Sequence, residues 1–528
     1  MRQIGFKNFR RFENFPPINL APITIFVGEN NAGKSTVVKG ILALSDFLNG
    51  WRKDLDFFIE ERGEKKLKKI IIERLRSQKF YFNTSYLSHI GTFKRALYNK
   101  ADNDIISFYT KLGLQEITIE VFGDKNDDEA VCGVISKIIV DYSILGIHIE
   151  FDLQADLVEI IFSSVFCLDT EQLLEYFSQK EVDNIKSFLE TGPYKYALKY
   201  NISDYYSRFT LDLMFALIKS VEIAINSTIE PEKTNNYFSL EVLNKLKPIE
   251  NINKETIEFL KKYIKKVCQN QKGEKWIFRL PGRNFIGHIF QIEYLYAHAV
   301  TQTVIYSAKD TNDYLSRTIH EFASMPKITN DYRRDFIKHW MKEFNIGEDY
   351  VINSVGGEAH IVKIKNNDGE FVNLADKGMG SIQLMVLLFR LAITLPKQPF
   401  YKKDESMRFL LGSRRSSVVI IEEPEQNLHP KLQSKLADLF YKLHIEYGYR
   451  FIIETHSEYM IRKTQVLVAQ QYKKNCEWKN PFKVYYFRSD GVSYDMGYQK
   501  NGKFLNSFGG GFFDVSTNLS MDLLDMEE

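Results

Sequence analysis

The run Ile23-Thr24-Ile25-Phe26-Val27 leads directly into Gly28-Glu29-Asn30-Asn31-Ala32-Gly33-Lys34-Ser35-Thr36, and Val37, Val38, Ile41 and Leu42 follow at helical spacing. This strand, loop and helix satisfy G-x-x-x-x-G-K-[ST] in the structural context that the pattern needs. Glycines at 28 and 33 let the backbone curl so that successive N–H groups converge on phosphate oxygens, and the helix adds the positive end of its dipole. Gly28, Asn30, Asn31, Ala32, Gly33, Lys34, Ser35 and Thr36 are therefore expected to cradle ATP. Lys34 would reach the β- and γ-phosphates, and Ser35 would ligate Mg²⁺. A Gly-rich turn that matches by chance is the competing reading, and the flanking strand and helix weigh against it.

Two further buried-strand signals end in polar residues. Ser417-Val418-Val419-Ile420-Ile421 runs into Glu422-Glu423-Pro424-Glu425, and Arg450-Phe451-Ile452-Ile453 runs into Glu454-Thr455-His456-Ser457. Ligands of open α/β sheets sit at the carboxyl ends of strands. Glu422 is expected on Mg²⁺, Glu423 on the attacking water and His456 at the γ-phosphate. A solvated turn is the alternative for the acidic cluster, and Pro424 suits it equally. Upstream, Asp376-Lys377-Gly378-Met379-Gly380-Ser381-Ile382-Gln383 precedes an apolar helix over 382 to 395. With Ser381 at the N-cap, this loop would bind an anion. Lying apart from the first loop, it is expected to complete the γ-phosphate pocket of a neighbouring subunit.

The chain has 528 residues, a length that suits two to four domains. Its 70 Lys+Arg against 68 Asp+Glu leave a net charge of +2, which excludes nucleic-acid binding by bulk charge. DNA would need a local patch, and the runs Lys65 to Lys79 and Lys261 to Lys275 offer a phosphate-tracking face, or simply solvated helix surfaces. Cys132, Cys167, Cys268 and Cys476 lie too far apart for a zinc motif, so reduced, mostly buried thiols are expected. Without a secretory core or an apolar span of about 18 residues, the expectation is a cytoplasmic protein with no membrane partner.

Strands alternating with helices predict an α/β fold. Residues 1–162 read as an N-terminal ATPase lobe, helical over 35 to 112 and antiparallel β over 116 to 162. Residues 163–344 read as a mainly helical insertion, and 345–528 as a C-terminal ATPase lobe carrying β-like Tyr350-Val351-Ile352 and His360 to Ile364.

Taken together, GENNAGKST, DKGMGSIQ, VVIIEEPEQNLHP and FIIETHSEYM resemble the ABC-type ATPase heads of the RecF, SMC and OLD group over residues 1–45 and 345–465. The EEPE and LHP pattern followed by THS is similar to OLD-like AAA-family ATPases of bacterial anti-phage defence, including the ATPase component of Septu and of Septu-type retrons. Gly509 to Asp514 is similar to the GFFD ending of such proteins, with a Gly-rich turn as the alternative. The resemblance implies an ABC/SMC-like P-loop head assembled from both chain ends, with an antiparallel β lobe and a large helical insertion. It implies that Glu422 replaces the usual aspartate, that Glu423 is the catalytic carboxylate, that His456 is the switch histidine and that Ser381 contacts the γ-phosphate in trans. The loop is not the LSGGQ of transporters, and Glu422 is one methylene longer than Asp, so slow hydrolysis is expected. No Asp-x-Asp follows His456 and no HNH pattern is present, so an HNH-type or other nuclease is expected as a partner, beside a homo-oligomer of two or more copies. DNA, and in the retron case a reverse transcriptase with its RNA/DNA product, are further expected partners. A RecF/SMC-like DNA repair ATPase and a nucleotide-bound scaffold with little turnover are the alternative readings.

Overall fold

The computed structural model describes residues 3–61, 79–83, 90–112, 115–142, 147–155, 157–163, 195–201, 292–296, 302–307, 309, 313–326, 331–397, 418–510 and 512–525. The chain divides into two compact units, one of Met1–Asn19 with Lys39–Phe290, the other of Leu20–Val38 with Gln291–Glu528. The segments 65 to 78 and 261 to 275 of the two basic runs, and most of the expected insertion, lie outside the described residues, as do Cys167 and Cys268. Lys79 is exposed.

The first unit is built on a nine-stranded antiparallel sheet. Its strands are β1 (Gln3–Phe9), β2 (Phe12–Asn19), β4 (Lys79–Tyr81), β5 (Ile105–Leu112), β6 (Gln115–Phe122), β7 (Cys132–Tyr142), β8 (Ile147–Asp152), β9 (Leu157–Ser163) and β10 (Lys195–Asn201), in the order β10-β9-β8-β7-β6-β5-β1-β2 with β4 on β7. The antiparallel sheet expected over 116 to 162 is present. The helical reading of 35 to 112 holds for α1 (Lys34–Glu61) and for the single turn α2 (Phe93–Ala96), but β4 and β5 are strands. In β5, Ile106, Phe108 and Thr110 are buried while their neighbours alternate outward, a period of two that the surrounding charge obscures. The core is aromatic: Phe80 stacks on Phe108 at 4.6 Å, and Phe6 lies 5.3 Å from Phe9. Gly40 admits that Phe6 ring, which a Cβ there would meet at 2.5 Å. Cys132 is half-buried and Cys476, in the second unit, is exposed, so neither is the buried thiol expected.

The second unit carries a six-stranded sheet in the order β11-β16-β17-β3-β18-β19. Its members are β3 (Ile23–Gly28), β11 (Ile292–Leu295), β16 (Val418–Glu422), β17 (Arg450–Glu454), β18 (Phe482–Phe487) and β19 (Ser493–Asp495), all parallel except β19. Runs such as Val-Val-Ile-Ile are buried on both faces, as strands inside a parallel sheet must be. A smaller antiparallel sheet holds β12 (Tyr306–Ser307), β13 (Asp349–Val355), β14 (Ala359–Lys365) and β15 (Phe371–Asn373). Around them lie α3 (Tyr314–Ala323), α4 (Tyr332–Glu343), α5 (Met379–Thr394), α6 (Pro430–Tyr447), α7 (Glu458–Lys474) and α8 (Val515–Asp525). One hydrophobic core joins β3, β16, β17 and β18 to α3 through α7. The strand from the amino-terminal end of the chain thus sits between two strands from its carboxyl-terminal third. This is the expected α/β P-loop head assembled from both chain ends.

The expected boundary at 344 moves. The described residues beyond 291 that were assigned to the insertion, including β11, α3 and α4, belong to the second unit. Phe512 and Phe513 of the GFFD segment pack at 4.4 Å from each other, and Phe512 lies 5.1 Å from Tyr486 of β18. Among the described residues, no helix is long and apolar enough to cross a membrane.

Candidate nucleotide-binding site

In a parallel sheet, residues paired in register reach the same level, so strands that end together deliver their last side chains side by side. Glu422 pairs with Glu454, and Glu454 pairs with Phe26, which places Gly28 and both carboxylates at one end of the sheet. Gly28 has φ +141, and a Cβ there would lie 2.1 Å from the Phe487 carbonyl oxygen, so only glycine lets the chain leave β3 against β18. Glu29 N–H donates to that carbonyl at 3.0 Å, and its carboxylate accepts from Ser489 N–H at 3.0 Å. Asn31 adopts φ 57 and Gly33 φ 105, which turns the loop into α1. Ala32 and Thr36 are buried, whereas Asn30, Asn31 and Ser35 face outward.

Lys34 Nζ bridges the loop by donating to the carbonyls of Gly28 at 3.1 Å and Glu29 at 2.8 Å. Burial lowers its pKa, while the charges of Glu454, Glu423 and Glu29 oppose that shift. Ser35 Oγ donates to Glu454 Oε1 at 2.8 Å. Glu454 is 5% exposed, and desolvation, then the charge of Glu422, push its pKa up to about 7 against the pull of Ser35 and Lys34. Its Oε2 is buried without a hydrogen-bond partner. Tyr294 of β11 bonds Glu422, and burial followed by that carboxylate raises the phenol.

Glu423 stands just beyond β16 with φ +46, its N–H donating to the Glu454 carbonyl at 2.7 Å and its Oε2 accepting from Gln426 Nε2. Glu425 is buried, which raises its pKa, and its Oε1 accepts from His456 N–H at 2.6 Å. Desolvation and then the charge of Lys34 lower the His456 imidazole, so it is neutral at pH 7. Ser457 caps α7 by accepting from Met460 N–H, and its Oγ donates to Gln433 of α6 at 2.6 Å.

Ser381 is not the N-cap. Helix α5 begins at Met379 with Gly378, at φ 83, in the capping position, and Ser381 lies inside the first turn. Glycines at 378 and 380 allow this earlier start. Gly380 packs so closely on the loop after β16 that a Cβ would lie 2.5 Å from the Asn427 carbonyl oxygen. Gln383 Nε2 donates to the Glu423 carbonyl at 3.3 Å. The structure thus brings Lys34, Ser35, Glu422, Glu423 and His456 together, while Ser381 adjoins them through its helix.

Glu454 and Gln383 escaped the reading of the sequence. The one signal for Glu454 was a polar residue delivered at the carboxyl end of an apolar strand. The donor set of a serine hydroxyl and two carboxylates in register, one with an unpartnered oxygen, fits a hard divalent cation such as Mg²⁺.

The solved structures that this chain is similar to include SMC head domains. The Smc head bound to the C-winged helix domain of ScpA matches at TM-score 0.30 and 11% identity, over 94% of this chain and 96% of that one. An Smc head domain with an extended coiled coil, bound to the C-terminal domain of ScpA derived from Pyrococcus furiosus, matches at TM-score 0.30 and 12% identity, over 99% and 98%. The SMC head domain from Thermotoga maritima matches at TM-score 0.29 and 9% identity, over 94% and 98%. A search of curated proteins finds no match. A family model described as AAA ATPase domain, however, matches residues 1–461, and by that span the chain belongs to the AAA ATPase domain family.

Proposed function

We propose that the chain is an ATP-hydrolysing switch whose nucleotide site is the end of the sheet formed by β3, β17 and β16. The observation that carries this reading is the convergence of Lys34, Ser35, two carboxylates in register and His456 on one glycine-rich loop. Lys34 neutralises the β- and γ-phosphates, and the N–H groups of residues 30 to 36 hold their oxygens. Ser35, Glu422 and Glu454 would hold Mg²⁺, which when bound spreads charge across the β- and γ-oxygens. Glu423, aimed by its left-handed backbone, orients the attacking water and takes its proton. His456, held by Glu425 and neutral at pH 7, donates to the γ-phosphate and reports its presence to α7.

Gly378, at the cap of α5, is exposed, and Ser381 in the first turn would contact a nucleotide held by another copy, so ATP would join two or more copies. In line with the motif resemblance, the switch governs a separate nuclease in bacterial anti-phage defence, acts on DNA and works in the cytoplasm. Binding of a fluorescent ATP analogue, turnover and light scattering test the core of this reading. Lys34→Ala should abolish binding. Glu423→Gln should bind and self-associate normally while turnover drops about 10²- to 10³-fold. Wild-type turnover in both variants would overturn the proposal.

A further inference from the structure

We infer that Glu454, contributed by the strand between the P-loop strand and the acidic strand, is the carboxylate that takes the divalent cation directly, with Glu422 behind it. The inference rests on the nucleotide-site reading above and deepens it.

Strand order comes first. β17 is the immediate neighbour of β3, whereas β16 lies one strand further, about 4.8 Å more distant along the sheet. The hydroxyl of Ser35 accordingly reaches Glu454 at 2.8 Å. Both Glu422 and Glu454 stand at one level through their register, but Glu422 also bonds Tyr294 on its far side. Glu454 keeps one oxygen, Oε2, buried and unpartnered.

The energetic argument points the same way. A buried carboxylate facing a second one is costly unless a cation or hydrogen bonds compensate, and Ser35 compensates a single oxygen. Lys34 gives two of its three N–H donors to the Gly28 and Glu29 carbonyls and leaves Oε2 without a hydrogen bond. A divalent ion against Oε2 would fill the gap. The main chain of Glu454 also holds Glu423 N–H at 2.7 Å. The residue that takes the metal therefore also sets the position of the carboxylate proposed for the water.

The test is Mn²⁺ binding to the full chain in the presence of ADP, read by electron paramagnetic resonance as loss of the free-ion signal. Glu454→Gln should weaken Mn²⁺ at least about tenfold, Glu422→Gln should weaken it less, and ADP binding in EDTA should persist in both. Glu454→Asp, which keeps the charge but withdraws it by one methylene, should fall between wild type and Glu454→Gln and serves if the amide variant fails to fold. Wild-type Mn²⁺ affinity in Glu454→Gln or in Glu454→Asp, or a larger loss in Glu422→Gln, would overturn the inference and leave the nucleotide site standing. A wild-type chain that binds neither ADP nor Mn²⁺ would overturn both.

Discussion

Gly380→Ala sets two effects of opposite sign against each other. By helix propensity the substitution is favourable, because alanine in a helix is worth about 1 kcal/mol more than glycine. The surroundings oppose it: the new Cβ would stand 2.5 Å from the Asn427 carbonyl oxygen and 3.1 Å from Leu428 Cδ2. Comfortable contact needs about 3.5 Å, so α5 or the loop after β16 must retreat by roughly 1 Å. The loop has little slack, since Glu423 and Asn427 are both left-handed and Glu423 is tied through its N–H to Glu454 and through its carbonyl to Gln383. Overpacking of this kind costs about 1–3 kcal/mol, which meets or exceeds the propensity gain. Because the displaced loop carries Glu423, the larger effect should fall on chemistry, where an error of about 1 Å can cost about 10²-fold in rate. Urea unfolding should therefore show a net loss of about 0–2 kcal/mol, single-turnover hydrolysis should fall about 10- to 100-fold, and binding of an ATP analogue should stay within about twofold of wild type, because the P-loop is untouched. A variant that gains about 1 kcal/mol and hydrolyses ATP at the wild-type rate would refute the claim that α5 bears on the catalytic loop.

Two other perturbations probe the same end of the sheet. Gly28→Ala should cost more than about 3 kcal/mol and abolish nucleotide binding, since it combines a forbidden φ with a Cβ 2.1 Å from the Phe487 carbonyl oxygen. A melting temperature and analogue affinity equal to wild type would exclude that close approach. The second concerns pH. The Glu454 carboxyl is raised from 4.5 to about 7 in the folded chain, so its contribution to stability is complete below pH 4.5 and is lost as pH rises through about 7. The loss is on the order of 3 kcal/mol for the metal-free chain. Urea midpoints between pH 5 and 8.5 should show this decline in wild type and a flatter profile in Glu454→Gln, and identical slopes would contradict it.

What could be read from the sequence was whatever is local. β3, β16 and β17 are buried on both faces, so each reads as an apolar run, broken in β3 by the buried Thr24, and the glycines, Lys34 and Ser35 follow β3 at fixed offsets. The β1–β2 hairpin was missed because its reversal is the two-residue turn Arg10-Arg11, with Arg10 left-handed, which carries no glycine or proline signal. Ser381 was misplaced by one turn because serine is the commoner cap, whereas the start of α5 is decided by how closely Gly380 can approach Asn427, a contact between residues far apart in the chain. Glu454 illustrates the deeper limit. No spacing rule relates it to Glu422 or Ser35; strand order puts it beside the P-loop strand, and register puts it level with Glu422. Two acidic strands slipped by one residue would turn one carboxylate to the opposite face of the sheet and leave the cation a single carboxylate. The proposed metal site therefore depends on the pairing between β16 and β17, and a substitution that slips their register should weaken Mn²⁺ while leaving every motif residue in place.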